Sequence, residues 1–297
     1  MLASTSRSVL RSTQIAPVAG AQARNMATLR EIQARIKAIT SISKVTKSMK
    51  MIASTKLARA QRSMNAAREY GQTTQATLTH ANVELPANLE SSRVLTVAVS
   101  GDRGLCGGVH SSVSKGTKGY FGENPNSKLV VLGDKAKTQL QRTNRDSIEL
   151  TFNQIGKKVP NYGESLIIAD TILNEVGTEN FDVARVIYNY FTNAISYEAQ
   201  YVDSPSQSIM QAGSTFSAYE TESETVAKYR EFMFANVVHW ALVEGHAVEI
   251  SSKRNAMENA TKNANDMIST LTLKYNRGRQ ASITNELIDI ITGASSL

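Results

Sequence analysis

Residues 100–108, Ser-Gly-Asp-Arg-Gly-Leu-Cys-Gly-Gly, hold the densest group of chemistry-bearing residue types in the chain. They follow an apolar, β-branched run and precede a helical stretch. In a dinucleotide-binding protein this is where backbone N–H groups cradle a phosphate. The spacing here is G-x-x-G-x-x-G-G rather than G-x-G-x-x-G, and no G-x-x-x-x-G-K-[ST] occurs anywhere. Asp102 places negative charge where the phosphate would lie. The loop therefore reads as a tight turn or a contact surface, with a nucleotide-binding α/β enzyme as the alternative. Cys106 is the single cysteine, so an intrachain disulfide and a four-cysteine zinc site are both excluded. Arg103 beside it would lower a thiol pKa, but no base partner accompanies it. His80, His110, His239 and His246 are scattered, and neither H-E-x-x-H nor G-x-S-x-G is present. His239 and His246 could share a helix face, which suits packing or solvent exposure better than metal binding. No carboxylate pair stands out for acid–base work. The sequence points to no catalytic residue, no metal ligand and no cofactor.

The elements around this loop read as an α/β unit. Residues 93–100 (RVLTVAVS) and 128–132 (KLVVL) are β-branched and apolar, 148–152 is a third strand, 184–191 (ARVIYNYF) a fourth, and 198–202 an edge strand. Helical stretches near 111–120, 134–141 and 162–176 alternate with them. That order predicts a mainly parallel sheet with helices on its faces. The short loop at 193–196 makes the final strand pair antiparallel.

Two long helices are expected to bracket this unit. Leu29, Ile32, Ile36, Ile39, Ile42, Val45, Met49 and Ile52 recur at steps of three and four, giving one apolar helix face. Thr28 with Glu31 fits a capping box at its start. A helix over 28–80 would be roughly 80 Å long. The C-terminal segment lacks proline from 217 to 292 and carries Met257, Ala260, Ala264, Met267, Leu271 and Tyr275 at heptad-like spacing, then Ile283, Leu287 and Ile290. The two segments can bury these stripes against each other as an antiparallel coiled coil. The expected organisation is a leader over 1–25, an N-terminal helix over 26–85, an α/β domain over 91–205 and a C-terminal helix over 217–294. The fold class is α/β: a Rossmann-like domain carried on a two-helix coiled coil.

Charge is unevenly placed. The chain has 297 residues, 41% hydrophobic content and a net charge of +7, enough length for about two domains. Residues 28–70 carry ten basic side chains against two acidic ones, and residues 1–25 carry three arginines and no acid. The rest is mildly acidic. A basic helix suits nucleic acid, an anionic membrane, an acidic protein surface, or plain solvation. No base-stacking aromatic precedes Tyr70, so nucleic acid is the weaker reading. Leu2, Val9 and Leu10 share one helical face with Arg7 and Arg11 towards the other, the pattern of a mitochondrial transit peptide. The apolar runs are too short to span a bilayer.

Three separated stretches, residues 27–61 (ATLREIQARIKAITSISKVTKSMKMIASTKLARAQ), 100–108 and 251–294 (SSKRNAMENATKNANDMISTLTLKYNRGRQASITNELIDIITGA), resemble the gamma subunit of F-type ATP synthases. The leader and the ITGASSL ending resemble a mitochondrial, fungal member. The resemblance implies a non-catalytic rotor shaft on the matrix side of the mitochondrial inner membrane. Its coiled coil would stand inside a hexamer of alpha and beta subunits. Its α/β domain, with the delta and epsilon subunits, would stand on the ring of c subunits. By the same resemblance Arg279 and Gln280 match a contact with a loop on beta. Lys47, Met49 and Lys50 match a stretch facing the lower beta subunits, and Asp102, Arg103 and Cys106 match a loop near the beta lever. Met49 equally suits a simple core position, and Arg279 a solvated charge. Gly278 departs from the larger residue common in the family, and fits either a close approach to the partner helix or a flexible tip.

Overall fold

A run of β-branched residues has few ways to bury itself except as a central strand, and Val94–Val99 (β1) is buried at every position. A computed structural model of the chain describes residues 19–83, 92–123, 127–156, 158–215 and 222–296. In chain order the elements are α1 (Ala19–His80), β1, α2 (Val109–Glu123), β2 (Lys128–Leu132), α3 (Asp134–Leu140), β3 (Ile148–Phe152), α4 (Tyr162–Val176), β4 (Val183–Phe191), β5 (Tyr197–Pro205), α5 (Gln207–Gln211) and α6 (Ser223–Ser295). The sheet order is β3-β2-β1-β4-β5. The first four strands are parallel, and β5 pairs antiparallel with β4.

Side chains alternate across a sheet, so β1 feeds two cores. Leu95, Val97 and Val99 join Ala169, Ile172 and Leu173 of α4 and Phe234, Val238 and Leu242 of α6 on one face. Val94 and Ala98 join Val113 of α2 and Ala136 and Leu140 of α3 on the other. The first half of α6 is therefore a covering layer of the α/β fold. Across the edge pair, Arg185 binds Asp203 through two 2.7 Å hydrogen bonds, its guanidinium lying over the rings of Tyr120 and Tyr201.

The chain divides into two compact units, 46–260 and the two terminal segments 1–45 with 261–297; α1 and α6 contribute to both. In the larger unit the buried positions of α1 recur every seven residues: Thr46, Ala53, Ala60, Ala67 and Thr74. On α6 the matching series is Asn236, Val243, Ile250 and Met257. A strict seven-residue seam is what two wound helices require, and small residues on α1 let the axes approach. Gly71 continues this logic: a Cβ there would stand 2.7 Å from the Trp240 ring. In the smaller unit, Ser43 donates to Asn265 at 2.9 Å. A Cβ on Gly278 would stand 2.9 Å from Leu29 Cδ2, so this glycine marks close approach to the partner helix.

Three expectations are corrected. α1 begins at Ala19, not near Thr28; the alanines upstream are strong helix formers with no proline to stop them. Thr28 is thus inside the helix, and Glu31 pairs with Arg35 at 2.6 Å instead of capping. Ile42, Val45 and Ile52 are exposed rather than part of the seam, as are Met267, Ile283, Leu287 and Ile290. On α1 from Thr46 onward the seam follows small residues one step out of phase with Val45 and Ile52, while Leu29, Ile32, Ile36 and Ile39 before it, and Leu271 and Tyr275 on α6, are half-buried. The leader expectation lies outside the described residues over 1–18.

One buried group joins the layers. Glu244 is fully buried, and its carboxylate accepts from Arg68 of α1, from the Trp240 indole N–H and, at 3.0 Å, from the backbone N–H of Phe191 at the end of β4. Arg68 also donates to the Phe191 carbonyl at 3.0 Å and lies 4.3 Å from the centre of the Tyr190 ring. Removing one partner of a buried pair costs about 3–5 kcal/mol, whereas replacing both by apolar groups is often neutral. We expect Glu244→Leu to lower the thermal midpoint of the full-length chain by roughly 10 °C. Arg68→Met with Glu244→Leu should recover part of that loss, the Trp240 indole and Phe191 N–H groups remaining without their acceptor, as followed by circular dichroism.

Candidate functional site

The glycine loop leaves β1 and turns over the sheet's C-terminal edge, the position a phosphate would take. The loop's carboxylate is engaged within the chain: Asp102 Oδ1 accepts from the Asp134 backbone N–H at the start of α3, the helix after β2, 2.8 Å away. The loop glycines serve close packing within the protein. A Cβ on Gly101 would stand 2.7 Å from a Glu249 carboxylate oxygen of α6. Gly133, at φ +103°, lies so close to Ser100 and Gly101 that a Cβ would meet backbone at 2.8 Å. Gly101 and Gly133 thus admit neighbouring chain.

The loop's polar residues face different ways. Asp102 and Arg103 are half-buried, while Gly104, Leu105, Gly107 and Gly108 are exposed. Leu105 is 62% exposed and Cys106 only 1%, so the outward apolar side chain of this turn is Leu105. The Cys106 thiol lies 3.1 Å from His110 Nε2, which is also 2.7 Å from the Arg103 carbonyl, while Ser100 Oγ is 2.7 Å from His110 Nδ1. Burial, with the nearby Glu249 charge, pushes the Cys106 thiol up to about 11, and burial lowers His110 below the ordinary imidazole range. This thiol–imidazole pair therefore stays neutral near pH 7. Lys253 and Lys135, not Arg103, are the cations that oppose this rise, and the thiol is the unreactive one read from the absence of a base partner.

The other expected contact residues lie on the two long helices. Lys47 is exposed and Met49 half-buried. Lys50 binds Glu258 of α6 at 2.8 Å, which holds that carboxyl below its usual range. Lys47 thus presents its charge outward, while Lys50 spends part of its own within the helix pair. Arg279 and Gln280 are both exposed on α6 in the smaller unit. They share that segment with Ile283, Leu287, Ile288, Ile290 and Ile291, which are 48–67% exposed. Geometry does not gather the expected residues into one pocket; it distributes them along the helix pair and the adjoining turn.

Sequence reasoning passed over Glu244 and Glu249, and read His246 only as packing or solvent exposure; the structure buries all three. Burial drives the Glu249 carboxyl up to about 7, against the pull of Lys253 and Arg103, and drives His246 down to about 4. Both sit in residues 233–250 (MFANVVHWALVEGHAVEI), where the helix is apolar on nearly every side. A charged residue in such a stretch has to be buried and partnered, and that was the available signal. For the cysteine, an uncharged thiol reagent should label native Cys106 at least about tenfold more slowly than the urea-unfolded chain at pH 7.5. Equal rates would show an accessible thiol.

Comparison with known proteins gives a consistent result. The family model described as ATP synthase matches residues 28–297. The mitochondrial ATP synthase subunit gamma of Kluyveromyces lactis is 40% identical over 284 residues, covering 95% of this chain and 98% of that protein. The mitochondrial ATP synthase F(1) complex subunit gamma of Rattus norvegicus is 40% identical over 276 residues, covering 91% and 100%. Among solved structures, a chain of the Tetrahymena thermophila mitochondrial ATP synthase central stalk and c-ring matches with a TM-score of 0.60 at 27% identity, over 73% of this chain and 99% of that one. A chain of the Euglena gracilis mitochondrial enzyme shares the fold, with a TM-score of 0.76 at 21% identity over 91% and 94%. The chain belongs to the ATP synthase gamma-subunit family.

Proposed function

We propose that this chain is the central rotor shaft of a mitochondrial proton-translocating ATP synthase. On this reading it is non-catalytic and couples rotation of a c-subunit ring to conformational change at surrounding beta subunits. The observation that carries the reading is the set of apolar side chains left outward on the helix pair. Ile42, Val45, Met51 and Ile52 on α1 and Ile283, Leu287, Ile288, Ile290 and Ile291 on α6 are about half exposed or more. Such rows on an isolated coiled coil would be a liability; inside a collar of alpha and beta subunits they become a bearing surface.

The energetics favour many contacts over one. A single asymmetric shaft cannot touch three equivalent beta subunits alike, so each is biased towards a different state. Moving a two-state site from 1:99 to 99:1 takes about 5.5 kcal/mol of differential interaction, and an exposed ion pair supplies roughly 0–1 kcal/mol. Lys47, Met49 and Lys50 on α1, the turn at Asp102, Arg103 and Cys106, and Arg279 with Gln280 on α6 are the contacts we assign to beta. In the turn, Leu105 is the side chain that reaches out in place of Cys106. The α/β unit would meet the delta and epsilon subunits and the c ring on the matrix side of the inner membrane. Among the described residues no helix is long and apolar enough to cross a membrane, which suits peripheral attachment.

Arg279→Ala with Gln280→Ala, or deletion of residues 280–297, should lower proton-driven ATP synthesis in sealed vesicles about tenfold. That corresponds to about 1.4 kcal/mol of lost barrier control. Unchanged synthesis in both variants would remove these contacts from the account.

A further inference from the structure

The glycine loop, the end of β4 and α6 line a small cavity of about 20 Å³ whose wall mixes apolar and polar groups, the size for one water. Asn189, His246 and Glu249 are in its wall, together with Ser100, His110 and Gly156. Asn189 Oδ1 and His246 Nδ1 are buried and have no hydrogen-bond partner among the described residues, their residues being 1% and 8% exposed. Asn189 is fixed from its other side, its Nδ2 donating to the Val109 carbonyl at 2.8 Å, which leaves Oδ1 as the acceptor to be satisfied. His246 Nδ1 and Glu249 Oε2 both lie within 4 Å of the point where a Cβ on Gly156 would stand. Two orphaned buried atoms on the wall of one small cavity are what an ordered internal water resolves.

The hydrogen-bond inventory closes around such a water. A neutral imidazole offers one nitrogen as acceptor, and a protonated carboxyl offers one O–H. We propose that this cavity binds a single water that donates to Asn189 Oδ1 and His246 Nδ1 and accepts from the protonated Glu249 carboxyl. The hold of α6 on the end of β4 and on the glycine loop then loosens when Glu249 loses its proton.

The surroundings support these protonation states. Burial and Asp102 raise Glu249 to about 7 while Lys253 and Arg103 oppose them. Burial, Arg103 and Lys56 keep His246 neutral, down at about 4. His110 of α2, lowered by burial and by Lys135, is neutral as well. The segment before α4 presents Ile155, Gly156 and Pro160 to the cavity, none of which titrates. Because the folded value for Glu249 lies above the ordinary 4.5, its stabilising contribution is complete below about pH 4.5 and is lost as pH rises through about 7. His246 acts in the opposite sense, losing its contribution as pH falls from 6.5 towards 4.

The test uses the assembled complex containing the full chain. A map that resolves waters, recorded at pH 6, should show one peak about 2.7–3.2 Å from both Asn189 Oδ1 and His246 Nδ1. The peak should persist in Glu249→Gln, which keeps a donor, and vanish in His246→Leu. Amide exchange of residues 101–109 and 189–191, corrected for intrinsic rates, should quicken about tenfold from pH 6 to 8.5 in the parent and stay flat in Glu249→Gln. Direct bonding of Asn189 to His246 with no peak would overturn the proposal. So would a peak with four or more ligands at roughly 2.0–2.4 Å, the mark of a cation, or a pH dependence unchanged in Glu249→Gln.

Discussion

The fully buried Glu244 carboxylate is the constraint on which the larger unit turns. A charge taken out of water has to find opposite charge and donors close by, or it is not retained. Here three donors converge on it from three elements: Arg68 of α1, the Trp240 indole of α6 and the backbone of Phe191 at the end of β4. Satisfying that one carboxylate fixes how α1 lies on α6 and how both lie on the sheet. The heptad seams of small residues on α1 and larger ones on α6 then add non-directional packing to a register already chosen. Apolar packing alone tolerates sliding; a buried ion pair with a backbone donor does not.

The sheet and its covering helices were legible because their sequence signals are local. Residues 128–132, 148–152 and 162–176 read from sequence coincide with β2, β3 and α4, and the short loop at 193–196 gave the antiparallel turn of the last pair. What was not legible depended on partners distant in sequence. The phase of the α1 seam could not be read from Ile42, Val45 and Ile52, since large apolar residues facing outward look the same in sequence as large apolar residues facing in. Arg185 with Asp203, and Glu244 with Arg68, resemble solvated charges until the fold brings them together. The start of α1 was misplaced because a plausible cap at Thr28 competes with helix formers upstream, and the upstream residues prevail.

The glycine loop shows why a motif has to be judged by its surroundings. Its position after β1 is that of a phosphate cradle, yet Asp102 already occupies the first turn of α3 and Glu249 crowds Gly101. The same glycines allow α6 to pass close over the sheet edge. A loop that stands where a nucleotide site would, and whose spacing reads as a tight turn or contact surface, thus serves to seat a long helix on an α/β body, and a subunit built to transmit motion needs that seat.

The central claim is that α1 and α6 act as one shaft rather than as two helices that slide. The native chain offers a single, buried cysteine, so an introduced pair can be read cleanly. Leu29 and Gly278 face each other within the smaller unit, and Leu29→Cys with Gly278→Cys would let oxidation lock the helices together. The most direct measurement is ATP synthesis and ATP-driven proton pumping in sealed vesicles before and after oxidation. The account predicts that the locked pair retains both activities. A loss on oxidation that reduction restores would mean that the helices have to move against each other, and would contradict it.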